Sequence, residues 1–101
     1  MSNLRNRLAM NKIVEDGINL KKDDIIICSD NSGKNKYFLL RVEKDTEVKS
    51  SAFTTINLWS PNGFFNPLML RVDNIKKVLP YVENWYEVYE SGLKKVEDEN
   101  K

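Results

Sequence analysis

Histidine is absent from the chain, and cysteine occurs once. Without histidine there is no imidazole acid–base catalysis, and nearly all zinc sites are excluded. A lone thiol rules out an internal disulfide and fits a reducing compartment, so a cytoplasmic location is expected. Neither sign of charge dominates: 16 basic residues face 15 acidic ones, a net charge of +1. That excludes a strongly basic nucleic-acid wrapper and a strongly acidic mimic of DNA. Long apolar runs are missing too. Runs such as Ile25-Ile26-Ile27-Cys28 and Leu68-Met69-Leu70 are far shorter than the roughly 18–20 residues of a membrane span. Arg5 and Arg7 lie near the start, but no apolar stretch of the signal-peptide kind follows them. No membrane partner is expected.

What is present suffices for one domain. Hydrophobic residues make up 41% of the 101 positions, enough for a core. The reading is a single domain over 1–101. It has a basic N-terminal arm (1–19), a strand-rich body (20–79), an amphipathic helix (80–96) and a short tail (97–101). Asp24 to Cys28 is a β-branched run that reads as a buried strand. The stretch Ser29 to Lys36 holds turn formers around Gly33, so a hairpin is expected there. In Tyr37 to Lys44, Phe38, Leu40 and Val42 alternate with Tyr37, Leu39 and Arg41 across two faces. Asp45 to Ser51 is polar and reads as a loop. Phe53 to Trp59 is a third strand with Ile56 and Leu58 inward, and Pro61-Asn62-Gly63 is a turn. Pro67 closes that loop. Leu68 to Val72 is a fourth strand with Met69 and Arg71 outward. Asp73-Asn74 turns the chain, and Ile75 to Leu79 can form a fifth strand.

Pro80 suits the first turn of a helix. Val82, Trp85, Tyr86, Tyr89, Leu93 and Val96 then follow at helical spacing, forming an apolar stripe. The fold class is therefore mainly β with a C-terminal helix: a small barrel or strongly bent antiparallel sheet of four to five strands, packed by one amphipathic helix.

Leu20-Lys21-Lys22-Asp23-Asp24-Ile25-Ile26-Ile27 resembles the entry into the first strand of SH3-like small barrels of the KOW and Tudor type, where an "lkkGDxV" pattern is frequent. Asp23 stands where that pattern usually has Gly. The resemblance extends over roughly residues 18–79 and implies a binding module rather than an enzyme. The composition, with twelve Asn, twelve Lys and seven Ile, resembles that of small accessory proteins of AT-rich tailed phages.

No catalytic constellation emerges. Ser32-Gly33-Lys34 lacks the second glycine and the Ser/Thr of a phosphate loop. Asp23 and Asp24 are adjacent and would point to opposite faces of a strand. Cys28 has no histidine to activate it. No enzyme, metal or cofactor is expected. Two features remain. Tyr37, Arg41 and Trp59, with Leu39, Met69 and Arg71, form a mixed aromatic–basic face that suits single-stranded nucleic acid, unless the helix packs there instead. Arg5, Arg7, Lys21, Lys22, Lys34 and Lys36 would supply phosphate contacts. The leading expectation is a sequence-tolerant nucleic-acid-binding accessory protein. The alternative is a module docking on a protein, such as a host protein, through the Trp59–Phe65 loop with Trp59, Phe64 and Phe65 as anchors. Charge is uneven in a way that suits the first: residues 1–79 carry 13 basic and 9 acidic groups, residues 80–101 carry 3 and 6.

Overall fold

The computed structural model describes residues 17–30 and 36–99. Among the described residues, seven strands precede one helix: β1 (Ile18–Leu20), β2 (Ile25–Ser29), β3 (Tyr37–Val42), β4 (Thr46–Val48), β5 (Thr54–Trp59), β6 (Phe65–Leu70), β7 (Ile75–Leu79) and α1 (Trp85–Glu99). A 3-10 turn, Val72–Asn74, sits between β6 and β7. The fold is mainly β with a C-terminal helix, as the pattern of the sequence implies. Five strands form one antiparallel sheet in the order β6-β5-β3-β2-β7. β1 and β4 form a second, two-stranded sheet.

β2 explains the architecture. Its residues Ile25 to Cys28 are all buried, so both faces of the strand are covered. Ile26 and Cys28 join Leu40, Val42, Ile56, Leu58 and Leu70 in one core, which Leu20 and Val48 of the small sheet complete. Ile25 and Ile27 join Tyr37 and Leu39 on the opposite face, where Trp85 and Val96 of α1 cover them. Leu79, Val82, Tyr89 and Leu93 flank this second core. One strand thus serves two cores, and its sequence reads as a continuous apolar run.

Several expectations are corrected. The polar stretch Asp45 to Ser51 is not only loop: Thr46–Val48 pairs with Ile18–Leu20. Ile18 and Asn19, expected in the arm, are therefore part of a strand. The pairing is non-local, and three-residue strands leave little trace in local sequence. The fourth strand starts at Phe65 and passes through Pro67 rather than beginning after it. The hydrogen-bond pattern permits this. Opposite Pro67, Asn57 gives its carbonyl to the Glu43 amide at 2.9 Å, so Pro67 belongs to a non-bonded pair. Its nitrogen faces the open edge of the sheet, where no ladder bond is lost. The helix begins at Trp85, not Pro80, and includes Glu97–Glu99 of the expected tail. Residues 80–84 form a lead-in held by the Tyr89 hydroxyl, which donates to the Pro80 carbonyl at 2.8 Å. Tyr86, part of the expected stripe, is exposed on the flank of the helix.

Candidate docking face

α1 covers only part of the outer sheet face. Tyr37 is 8% exposed and Leu39 is buried beside it, both beneath the helix. The ring of Tyr37 is thus taken up by packing rather than offered to a ligand. Arg41, two residues further along the same face, emerges from under the helix. It pairs directly with Trp59 across β3 and β5, and Trp59 pairs with Phe65 across β5 and β6. The two rings meet edge to face, with centroids 5.2 Å apart. On its other side the Arg41 guanidinium lies 5.8 Å from the Tyr81 ring. Tyr81, Arg41, Trp59 and Phe65 therefore form a row across three strands and the lead-in to α1. Tyr81 was missed by sequence reasoning, because a helix starting at Pro80 takes it into the first turn.

Below this row, the β5–β6 hairpin carries Pro67 and Met69 on its outer side, both exposed. At its base, the guanidinium of Arg71 stacks on the Phe53 ring at 4.8 Å and lies 3.7 Å from the Asp73 carboxylate. At its tip, Gly63 adopts φ 88, which glycine tolerates. The tip is held by hydrogen bonds. The Gly63 amide donates to the Ser60 carbonyl, the Ser60 amide to the Phe64 carbonyl, and the Phe64 amide to Ser60 Oγ. Ser60 Oγ also bonds Asn62 Oδ1. This ordered tip holds Phe64 at 68% exposure, next to Phe65 at 46%.

The basic candidates are placed differently. Arg5, Arg7 and Lys34 lie outside the described residues. Lys21 and Lys22 are exposed in the turn before β2, beside carboxylates: the Lys21 amide donates to Asp24 and the Lys22 amide to Asp45, each at 2.8 Å. Arg41 is bonded at 3.0 Å to Asp23. Lys36 is exposed at the far end of the β2–β3 hairpin, since Tyr37 pairs with the last residue of β2. The length of β2, about 17 Å, separates it from Lys21 and Lys22. The structure does not gather these three lysines into one cluster.

Cys28 is buried, and burial, reinforced by the nearby Asp30 charge, pushes its thiol up to about 12. It is a core side chain. Among the described residues, no three His, Cys, Asp or Glu side chains converge to hold a metal ion. Among the same residues, no helix is long and apolar enough to cross a membrane. Compared with known protein families, curated proteins and solved structures, this chain matches none.

Proposed function

We propose that this chain is a non-enzymatic docking module that binds another protein through the outer face and tip of the β5–β6 hairpin. The observation that carries the reading is the run of Phe64, Phe65 and Met69 exposed on one ordered hairpin, beside Trp59 and Arg41. Large aromatic side chains held in place at low entropic cost are what interface anchors require. Asp23 supports the SH3-like reading of the body. Its φ of 74 is a conformation that glycine adopts freely, at the position where the SH3-like pattern usually has glycine.

A nucleic-acid reading rests on the same row, because Trp59 and Phe65 offer rings and Arg41 a cation. Arg41, however, is bonded to Asp23, and Lys21, Lys22 and Lys36 divide between two ends of a hairpin. Protein docking uses the observed face with fewer additions.

The test is affinity capture from the native cell extract, with and without nuclease. We expect a protein retained under both conditions by the wild type and by the Lys21→Glu/Lys22→Glu/Lys36→Glu variant. It should be lost with Phe64→Ser/Phe65→Ser. Retention that disappears with nuclease and with the lysine reversals would replace docking by phosphate contact.

A further inference from the structure

Between Lys49 and Arg71 the sequence runs for 21 residues without a charge, in a chain that is 31% charged. That stretch is the β5–β6 hairpin and its lead-in. Ile56, Leu58 and Leu70 face the core, so the alternate residues face outward. They do so in register: Thr55 opposite Met69, Asn57 opposite Pro67, Trp59 opposite Phe65. Two arginines border this face, and each is paired within the chain, Arg41 with Asp23 at 3.0 Å and Arg71 with Asp73 at 3.7 Å. The hairpin itself thus holds no charge for a charged partner to meet. Interfaces between identical subunits are the more apolar class. Close to a two-fold axis every side chain meets its own copy, so a charge there would face its like. A charge-free face is what such an axis requires.

From this face we infer that its occupant is a second copy of the chain, the two β5–β6 hairpins packing face to face about a two-fold axis along the strands. The inference rests on the docking reading and names the partner. The helix selects the axis. α1 packs on Tyr37 and Leu39 of β3, on the same side of the sheet as the face. Its Tyr86 and Leu93 line a cleft with Ser60 and Asn62 of the hairpin tip, so this flank of the helix is turned to the hairpin. A helix is about 10 Å across, and stacked sheets lie about 10 Å apart. A second hairpin laid on the face therefore sits level with α1. With the axis along the strands, the outer edge of each β6 points at α1 of the other copy. With the axis across the strands, each helix would collide with the other sheet. The edge suits the first arrangement, because Pro67 in mid-strand has no amide to give a further strand, and a helix needs none. Phe53, Phe65, Met69 and Tyr86 are 38% to 59% exposed. Large side chains bury about 150–250 Å² each when fully covered, so with Thr55, Asn57, Trp59 and Pro67 the face and flank offer roughly 600 Å² per copy. The pair hides roughly 1,200 Å², where specific interfaces begin, which points to a Kd in the micromolar range.

Sedimentation equilibrium of the full chain, from about 1 to about 300 µM, brackets a micromolar Kd. The mass should rise from monomer to dimer and stop there, because a two-fold interface closes on itself. An axis along the strands sets each outward residue at the level of its own copy. Met69→Lys and Met69→Glu should therefore each weaken dimerisation at least tenfold, by facing like with like. An equimolar mixture of the two should dimerise again, now with opposite charges face to face. Both variants should keep the urea midpoint of the wild type, since Met69 is exposed, and Lys21→Glu/Lys22→Glu should leave the dimer unchanged. The inference is overturned if the wild type stays monomeric across the range, if either Met69 variant dimerises like the wild type, or if folded Met69 variants stay monomeric when mixed. A monomeric chain that still captures a different protein through Phe64 and Phe65 keeps the docking reading and discards the second copy. A dimer whose hairpin captures no other protein keeps the second copy and discards a foreign partner.

Discussion

Asp23 holds a left-handed backbone with φ 74 and gives its carboxylate to Arg41. A non-glycine residue in that region costs about 1–2 kcal/mol, while a partly exposed ion pair contributes about 0–1 kcal/mol. The two nearly offset each other. Asp23→Gly should therefore change stability by no more than about 1 kcal/mol, whereas Asp23→Val, β-branched and poorly suited to positive φ, should lose about 2 kcal/mol. Urea unfolding of the pair checks this, and equal midpoints would mean the backbone is not held there. Cys28 gives a second test. Its folded value lies above the ordinary 9.0, so the folded state favours the protonated thiol. The stability this provides is complete below pH 9 and falls as pH rises toward about 12, by at most about 1.4 kcal/mol per pH unit. The stability advantage of the wild type over Cys28→Ala should narrow across that window, and a native chain at neutral pH should resist thiol reagents until it unfolds. Burial of Cys28 was legible, because it continues the Ile25–Ile27 run. The positive φ at Asp23 was legible only as a departure from a glycine-bearing pattern.

At the level of elements, alternation identified the strands that build the main core, since Leu40, Val42, Ile56, Leu58 and Leu70 keep the inward positions their spacing gives them. It failed where partners are distant or short, as in β1 and β4. It also misplaced the start of α1, because proline at position 80 suits a helix start but serves as well after a strand. The helix stripe was legible in kind, and its energetics are testable. Trp85 is nearly buried against β2 and β3, so Trp85→Ala should cost on the order of 3–5 kcal/mol. A chain ending at Leu79 should melt well below the full chain; an equal melting temperature would detach α1 from the fold. Gly92 offers the opposite case. A Cβ added there would meet the Ile27 side chain at 4.0 Å, an ordinary contact. Gly92→Ala should therefore gain about 0.5–1 kcal/mol from helix propensity, read as a higher urea midpoint.

Taken as a whole, the molecule spends both faces of one sheet on packing around β2 and leaves the β5–β6 side open. Spacing showed that Tyr37, Leu39 and Arg41 share a face; it did not show where along that face the helix would end. That boundary gives Tyr37 to the core and Arg41 to the surface. It turns the expected aromatic–basic surface into the narrower row of Tyr81, Arg41, Trp59 and Phe65. The Trp59–Phe65 loop was legible as a candidate because paired phenylalanines in a Gly-containing turn have few inward positions. The salt dependence of partner binding distinguishes the two ligand classes at this scale. Docking on the hairpin should give a nearly flat log K against log salt, while contact with three to five phosphates would give a slope of roughly −2 to −5.

β2 has its two neighbours at very different positions along the chain, β3 at 37–42 and β7 at 75–79. A growing polypeptide can close the first hairpin soon after it emerges, yet one edge of β2 stays bare until residue 79 has been made. At about 5–20 residues per second, the stretch from Val42 to Leu79 takes seconds to synthesise, far longer than the microseconds in which a hairpin forms. During that interval the Ile25–Cys28 run is half-covered and sticky. The nascent chain is therefore most vulnerable to misassociation between the emergence of the third strand and that of the seventh.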